Sequence, residues 1–190
     1  PMVSLTSLVF LPLLTALLVL LIPAGYRFVI RGIALAGTLL TAFLALILFV
    51  HFDGGGAAIQ YEQKFDWVSV PGLSLALHFG ADGINIGVLL AAALVGFAAT
   101  AVSSTVVQQA KLFYLLLLVI LSGALGAFAS LDLFVFYFFN ELALVPTFIM
   151  IGVWGYGADR KYATFKITLY LTLGAMTALA GLILLYLQPG

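Results

Sequence analysis

Of the seven acidic residues in this 190-residue chain, six fall at or between breaks in its hydrophobic pattern. Glu141 does not. It lies inside a long apolar run, about eight residues in, which is roughly 12 Å deep at a helical rise of 1.5 Å per residue. An ionisable group near a bilayer centre costs about 2.5–3.5 kcal/mol on insertion scales and by default marks a functional site. The chemistry open to a carboxyl there is uptake and release of a proton. The competing reading is a hydrogen bond between helices that serves packing alone, which Ser, Thr or Asn would supply with less desolvation. Five positions on stands Pro146. It cannot donate to the carbonyl of Leu142, and its ring crowds that carbonyl, so a kink is predicted one turn past Glu141. A freed carbonyl beside a carboxyl can hold water; the plainer reading is that Pro146 only shapes the helix. Phe134, Tyr137, Leu144, Val145 and Phe148 recur on the face of Glu141 at helical spacing, a dry wall with Tyr137 as its one hydroxyl.

Lys166 is the nearest candidate counter-charge in the sequence. It begins the next run, about 6 Å into the membrane from the side opposite to that from which Glu141 is counted, and depth along the two helices separates the pair by roughly 12 Å. A direct bridge is therefore excluded. Lys166 either snorkels to the interface or reaches Glu141 through intermediates. His51 and His78 flank the longest polar segment and read as interfacial residues ahead of a proton-relay role. Asp132 precedes a helical run and reads as its cap. Gly123 with Gly126, and Gly174 with Gly181, read as close-packing positions.

The elements that must position these residues follow from composition. The chain is 65% hydrophobic and 7% charged, with mean hydropathy +1.28. A soluble domain carries about 25% charged residues, so lipid must solvate most of this one. The fold class predicted is all-α integral membrane. About 20 apolar residues cross a bilayer, and six segments qualify, at approximately 3–22, 28–52, 83–102, 112–131, 133–153 and 164–187. Together they form one membrane domain. The first run has no basic residue before it and no small-residue cleavage site after it, so it reads as a retained span. The segment 53–82 holds Gly54-Gly55-Gly56, four acidic residues and Trp67. It is predicted to be an extramembrane loop with a short interfacial stretch near 61–70.

Net charge is zero, which gives no pointer to nucleic acid. Without cysteine, disulfides and iron–sulfur ligation within this chain are excluded, and two isolated histidines do not make a metal centre. Arg27, Arg31, Lys111, Arg160 and Lys161 all fall at connections on one side, and the other side has only Lys64. The positive-inside rule then turns these connections to the cytoplasm, stroma or matrix and puts both chain ends on the opposite side.

Phe138-Phe139-Asn140-Glu141-Leu142-Ala143-Leu144-Val145-Pro146, followed by Ile151-Gly152-Val153-Trp154-Gly155, resembles the signature of the antiporter-like membrane subunits of complex I, subunit M or chain 4 type. Arg160-Lys161-Tyr162-Ala163-Thr164-Phe165-Lys166 and Leu169-Tyr170-Leu171-Thr172-Leu173-Gly174 are similar to the same family. So are Trp67 and Leu77-His78-Phe79-Gly80-Ala81-Asp82-Gly83-Ile84-Asn85, which look like its aromatic loop and its entry to the third span. The resemblance covers about 67–174.

It implies a start of a fold of about fourteen spans built on inverted repeats, of which this sequence holds six, as a truncated or partial chain. It implies that Glu141 is a switchable proton site whose lysine partner stands on a helix beyond these six, with Lys166 as a second, less secure proton-transfer position. Pro146, Trp67, Asp82 and Gly83 are implied structural positions. The implied function is proton translocation by a non-redox subunit in a bacterial inner membrane or a thylakoid-type membrane. Other membrane subunits would be its partners, with iron–sulfur clusters, flavin and quinone in partner subunits and no cofactor here. Two other readings stand beside it: a subunit of a cation/proton antiporter or membrane-bound hydrogenase, and a structural or assembly membrane protein.

Overall fold

The computed structural model describes residues 4–70, 73–157 and 159–187, with side chains except at 67–70, 73–75 and 187. Six helices are present among the described residues: α1 (Leu5–Leu21), α2 (Arg27–Val50), α3 (Asn85–Val102), α4 (Ala110–Ala129), α5 (Leu133–Trp154) and α6 (Arg160–Leu187). Five of them are long and apolar enough to cross a membrane. α1, with 17 residues, is shorter than the run from residue 3 to 22 suggested. At about 26 Å it sits at the lower limit for a span.

The segment between α2 and α3 corrects an expectation. In place of a loop it forms an antiparallel hairpin, β1 (Gln60–Val70) with β2 (Leu73–Ala81), pairing Gln60 with Ala81 and Val70 with Leu73. The signal lay in the alternation of Leu73, Leu75, Leu77, Phe79 and Ala81 with smaller or polar residues, a period of two that marks a half-buried strand. The hairpin covers one end of the bundle. Phe79 and Ala81 are fully buried, Gln63 Oε1 accepts from the amide and hydroxyl of Thr6 at 3.1 and 2.8 Å, and the Leu131 amide donates to the His78 carbonyl at 2.9 Å. Trp67 falls in β1, and its side chain lies outside the described residues.

α4 is the central helix, with half of its most apolar window buried, whereas α6 has none. It packs against α1, α3 and α5. Gly123 and Gly126 let α5 come close: a Cβ at 123 would meet Ala143 N at 2.6 Å and Phe139 O at 2.8 Å, and a Cβ at 126 would strike the Phe139 ring. Their expected close-packing role is met within the chain. Around Gly174 and Gly181 nothing among the described residues lies within 4 Å of either added Cβ. Among the described residues α6 packs chiefly along α5, and none of its most apolar stretch is buried.

Apart from Lys64 on the hairpin, the basic residues lie toward the opposite end of the bundle. There Lys111 Nζ donates to the carbonyls of Leu20 and Ile22, both at 2.8 Å, a cation placed on the negative end of α1. Trp154 Nε1 donates to the Gln108 carbonyl at 3.0 Å and Arg160 to the Val153 carbonyl at 3.1 Å. These bonds hold three connections at one end of the bundle.

Candidate functional site

α5 starts where Asp132 Oδ1 accepts from the amides of Phe134 and Val135 at 2.8 and 3.1 Å. The cap satisfies donors that an open helix end leaves free, as the sequence predicted. From there Val135, Phe139 and Pro146 turn into the core and are buried. Phe139 is the anchor: it meets Phe79 at 5.8 Å and Phe10 edge-on at 6.2 Å, ring centre to ring centre, and fills the space that Gly126 leaves. Two residues further on, the helix has turned by about 200°. Glu141 therefore points away from the core, toward α6.

Between α5 and α6 lies a cleft of about 230 Å³, lined on one side by Tyr137, Glu141, Leu144, Val145 and Phe148 and on the other by Leu171, Thr172, Ala175 and Met176. The wall expected from helical spacing is thus assembled, save for Phe134, which meets Tyr186 at 5.9 Å instead. Two contacts fix the register of the helices. Tyr137 donates to the Ala175 carbonyl at 3.2 Å, and Gly152 faces the Thr164 side chain at 3.3 Å from its added Cβ. Oε1 of Glu141 is buried and has no hydrogen-bond partner among the described residues. An unsatisfied buried acceptor costs about 1–3 kcal/mol, so the site is built at the expense of stability. No cationic nitrogen of the described residues stands within 4.0 Å of it.

Lys166 is exposed, and its Nζ sits 5.7 Å from the centre of the Tyr162 ring. It precedes Thr172 by six residues, which puts it about 9 Å along the axis and roughly 120° around the helix from the cleft. The structure does not bring it to Glu141. Pro146 is buried one turn beyond Glu141 in a helix that continues to Trp154, and Thr147 Oγ1 donates to the Ala143 carbonyl at 2.8 Å in the same turn.

Asp82 acts at another place. Its Oδ1 accepts from the amides of Ile84 and Asn85 at 2.8 and 2.6 Å, while Asn85 Oδ1 accepts from the Asp82 amide at 2.7 Å. This reciprocal pair is a capping box at the start of α3. The Asn85 amide group also donates to the carbonyls of Gly80 and Phe128, each at 3.1 Å, and so joins the hairpin to α4. Gly83 is exposed, with open space around it. His51 Nδ1 is 2.9 Å from the Ile47 carbonyl at the end of α2. His78 Nε2 is 2.7 Å from Glu62 Oε1 on the hairpin. No group of three or more His, Cys, Asp or Glu able to hold a metal occurs among the described residues. Sequence reasoning did not single out Thr172, because only the register of α6 against α5 brings it into the cleft.

Residues 130–190, which contain the cleft, match the family model described as NADH:quinone oxidoreductase/Mrp antiporter, transmembrane. Over 188 residues and 98% of its length the chain is 37% identical to NAD(P)H-quinone oxidoreductase chain 4 1 of Picosynechococcus sp.. The chain is of the antiporter-like, complex I type. Subunit M of the Rickettsia conorii NADH-quinone oxidoreductase is 33% identical over 192 residues, covering 98% of this chain. The antiporter-like chain spans about a third of these relatives, 34% and 38% of their lengths. Its fold superposes on a chain of respiratory complex I from Thermus thermophilus with TM-score 0.77 and 28% identity, over 95% of this chain and 35% of that one. A chain of the archaeal membrane-bound sulfane sulfur reductase shares the fold with TM-score 0.73 at 21% identity.

Proposed function

We propose that the chain works as a proton-translocating membrane subunit of a complex I-type quinone oxidoreductase, with Glu141 as its switchable proton site. One observation carries this reading. The carboxyl of Glu141 is held in an apolar cleft inside a membrane helix with one oxygen buried and unpartnered. A group kept there against its desolvation cost is suited to take a proton in one state of its surroundings and release it in another. The similarity to chain 4 and subunit M proteins supports the same reading.

The residues divide the work. The apolar wall keeps bulk water from the carboxyl, the Asp132 cap and Phe139 anchor hold α5, and Tyr137 ties α5 to α6. The charge that drives Glu141 between states comes from outside the described helices. Lys166 serves the interface, or a water-mediated path, rather than a direct ion pair. The electron donor would be NAD(P)H or ferredoxin, and iron–sulfur clusters, flavin and quinone would reside in partner subunits. Other membrane subunits would flank this one, with the basic end toward the cytoplasm or stroma.

The family description also names Mrp antiporters, which supports a second reading, a cation/proton antiporter or membrane-hydrogenase subunit. Glu141→Gln in the assembled complex tests both against a purely structural role, since it keeps size and hydrogen bonding and removes titration. Proton translocation is expected to fall at least tenfold while assembly persists. Unchanged translocation would refute the proposal. Co-purifying iron–sulfur subunits with quinone reduction support the complex I reading; cation-dependent proton flux without redox partners favours the antiporter.

A further inference from the structure

Threonines within membrane helices ordinarily satisfy their hydroxyl by donating to the carbonyl four residues back. This chain follows the habit closely: Thr38 bonds Ala34, Thr100 bonds Gly96, and Thr147 bonds Ala143. On α6, Thr164 donates to Arg160, Thr168 to Thr164 and Thr177 to Leu173, at 2.7–2.8 Å. Thr172 breaks the pattern. It is the one threonine of α6 without such a bond, and it lines the cleft that contains Glu141. A hydroxyl left free of its backbone on a lipid-embedded helix loses a bond that its neighbours keep. The same cleft holds the other unmatched polar group of the site, the buried Oε1 of Glu141.

Resting on the reading of Glu141 as the proton site, we propose that Thr172 is a positioning residue: its hydroxyl donates to a water in the cleft, and that water donates to Glu141 Oε1. The cleft of about 230 Å³ has room for it, since a water's share of liquid volume is about 30 Å³. The polar partners suffice as well. The hydroxyl oxygen of Tyr137 keeps acceptor capacity after donating to Ala175, so the water has three neighbours in Thr172, Glu141 and Tyr137. The remaining lining is apolar, so these three groups are the side-chain partners that the cleft offers a water. Thr172 thus fixes the carboxyl relative to α6, and any movement of α6 is felt at Glu141.

The test is infrared difference spectroscopy on the assembled complex, following the protonated-carboxyl C=O stretch that Glu141→Gln removes. Thr172→Val, which keeps the shape and deletes the hydroxyl, is expected to move this band to higher wavenumber as the carbonyl loses its donor, and to slow translocation about fivefold, the worth of one hydrogen bond. Thr172→Ser is expected to restore both. If the valine variant does not assemble, Thr172→Ala replaces it in the same measurement. A band unmoved by deletion of the hydroxyl, with Glu141→Gln still abolishing it, overturns the role of Thr172 and leaves the proton site standing. No band lost on Glu141→Gln removes the proton-site reading itself.

Discussion

Gly123→Ala is the sharpest probe of how this bundle holds its carboxyl. The added Cβ would stand 2.6 Å from Ala143 N and 2.8 Å from Phe139 O. Those two atoms are donor and acceptor of one turn of α5, the turn that contains Glu141. Ordinary contact begins at 3.4 Å, so α5 must retreat by the difference of 0.8 Å. Both obstacles are backbone atoms and cannot swing aside as a side chain would. Overpacking of this kind costs about 1–3 kcal/mol. Against it stands the gain of replacing a helical glycine with alanine, about 0.5–1 kcal/mol. Gly32→Ala isolates that gain, because Gly32 also lies within a helix and has nothing within 4 Å of its added Cβ. Reversible unfolding of the two variants in lipid–detergent micelles should therefore place Gly32→Ala at or above the parent. Gly123→Ala should fall below Gly32→Ala by the steric cost alone, about 1–3 kcal/mol. Equal stabilities would show that α5 does not approach α4 at this glycine and would refute the packing that aims Glu141 at α6.

Other outcomes follow from single contacts. Asp82→Ala removes the acceptor for two amides at the start of α3 and should cost about 0.5–2 kcal/mol, with faster hydrogen exchange at Ile84 and Asn85. Tyr137→Phe deletes the bond to Ala175 and should loosen α6 from α5 by about 0.5–1.5 kcal/mol, read as greater spin-label separation between the helices. Phe139→Ala empties a fully buried site between Phe10, Phe79 and Gly126 and should lower stability by about 3–5 kcal/mol in the same unfolding assay. Lys111→Met withdraws the cation from the end of α1 and should cost up to about 2 kcal/mol, with the loss fading in high salt.

The six helices were legible in the sequence because a chain with 7% charge must put its backbone bonds inside itself once lipid surrounds it. Glu141 was legible for the same reason, as the one acid in an apolar run with no break beside it. So were the caps at Asp132 and the close approach at Gly123 and Gly126, which depend on neighbours within a turn or on residue size. The hairpin was not read from the sequence: its signal lay in the alternation from Leu73 to Ala81, but a glycine-rich, acidic start to the segment masked a period that only pairing with β1 makes useful.

What the sequence could not decide is which groups meet across helices. Spacing puts Tyr137, Leu144 and Phe148 on the side of Glu141, yet says nothing about what faces them. The bond from Tyr137 to Ala175 and the contact of Gly152 with Thr164 set the sliding position of α6, and that position brings Thr172 into the cleft that holds the carboxyl and leaves Lys166 outside. Glycines 174 and 181 show the same limit, since their small size is visible in the sequence and the open space beside them among the described residues is not. A helix's own period fixes the directions its side chains take, while their partners depend on rotation and translation of a second helix. Those are settled by packing over the whole contact, and no local run of residues encodes them.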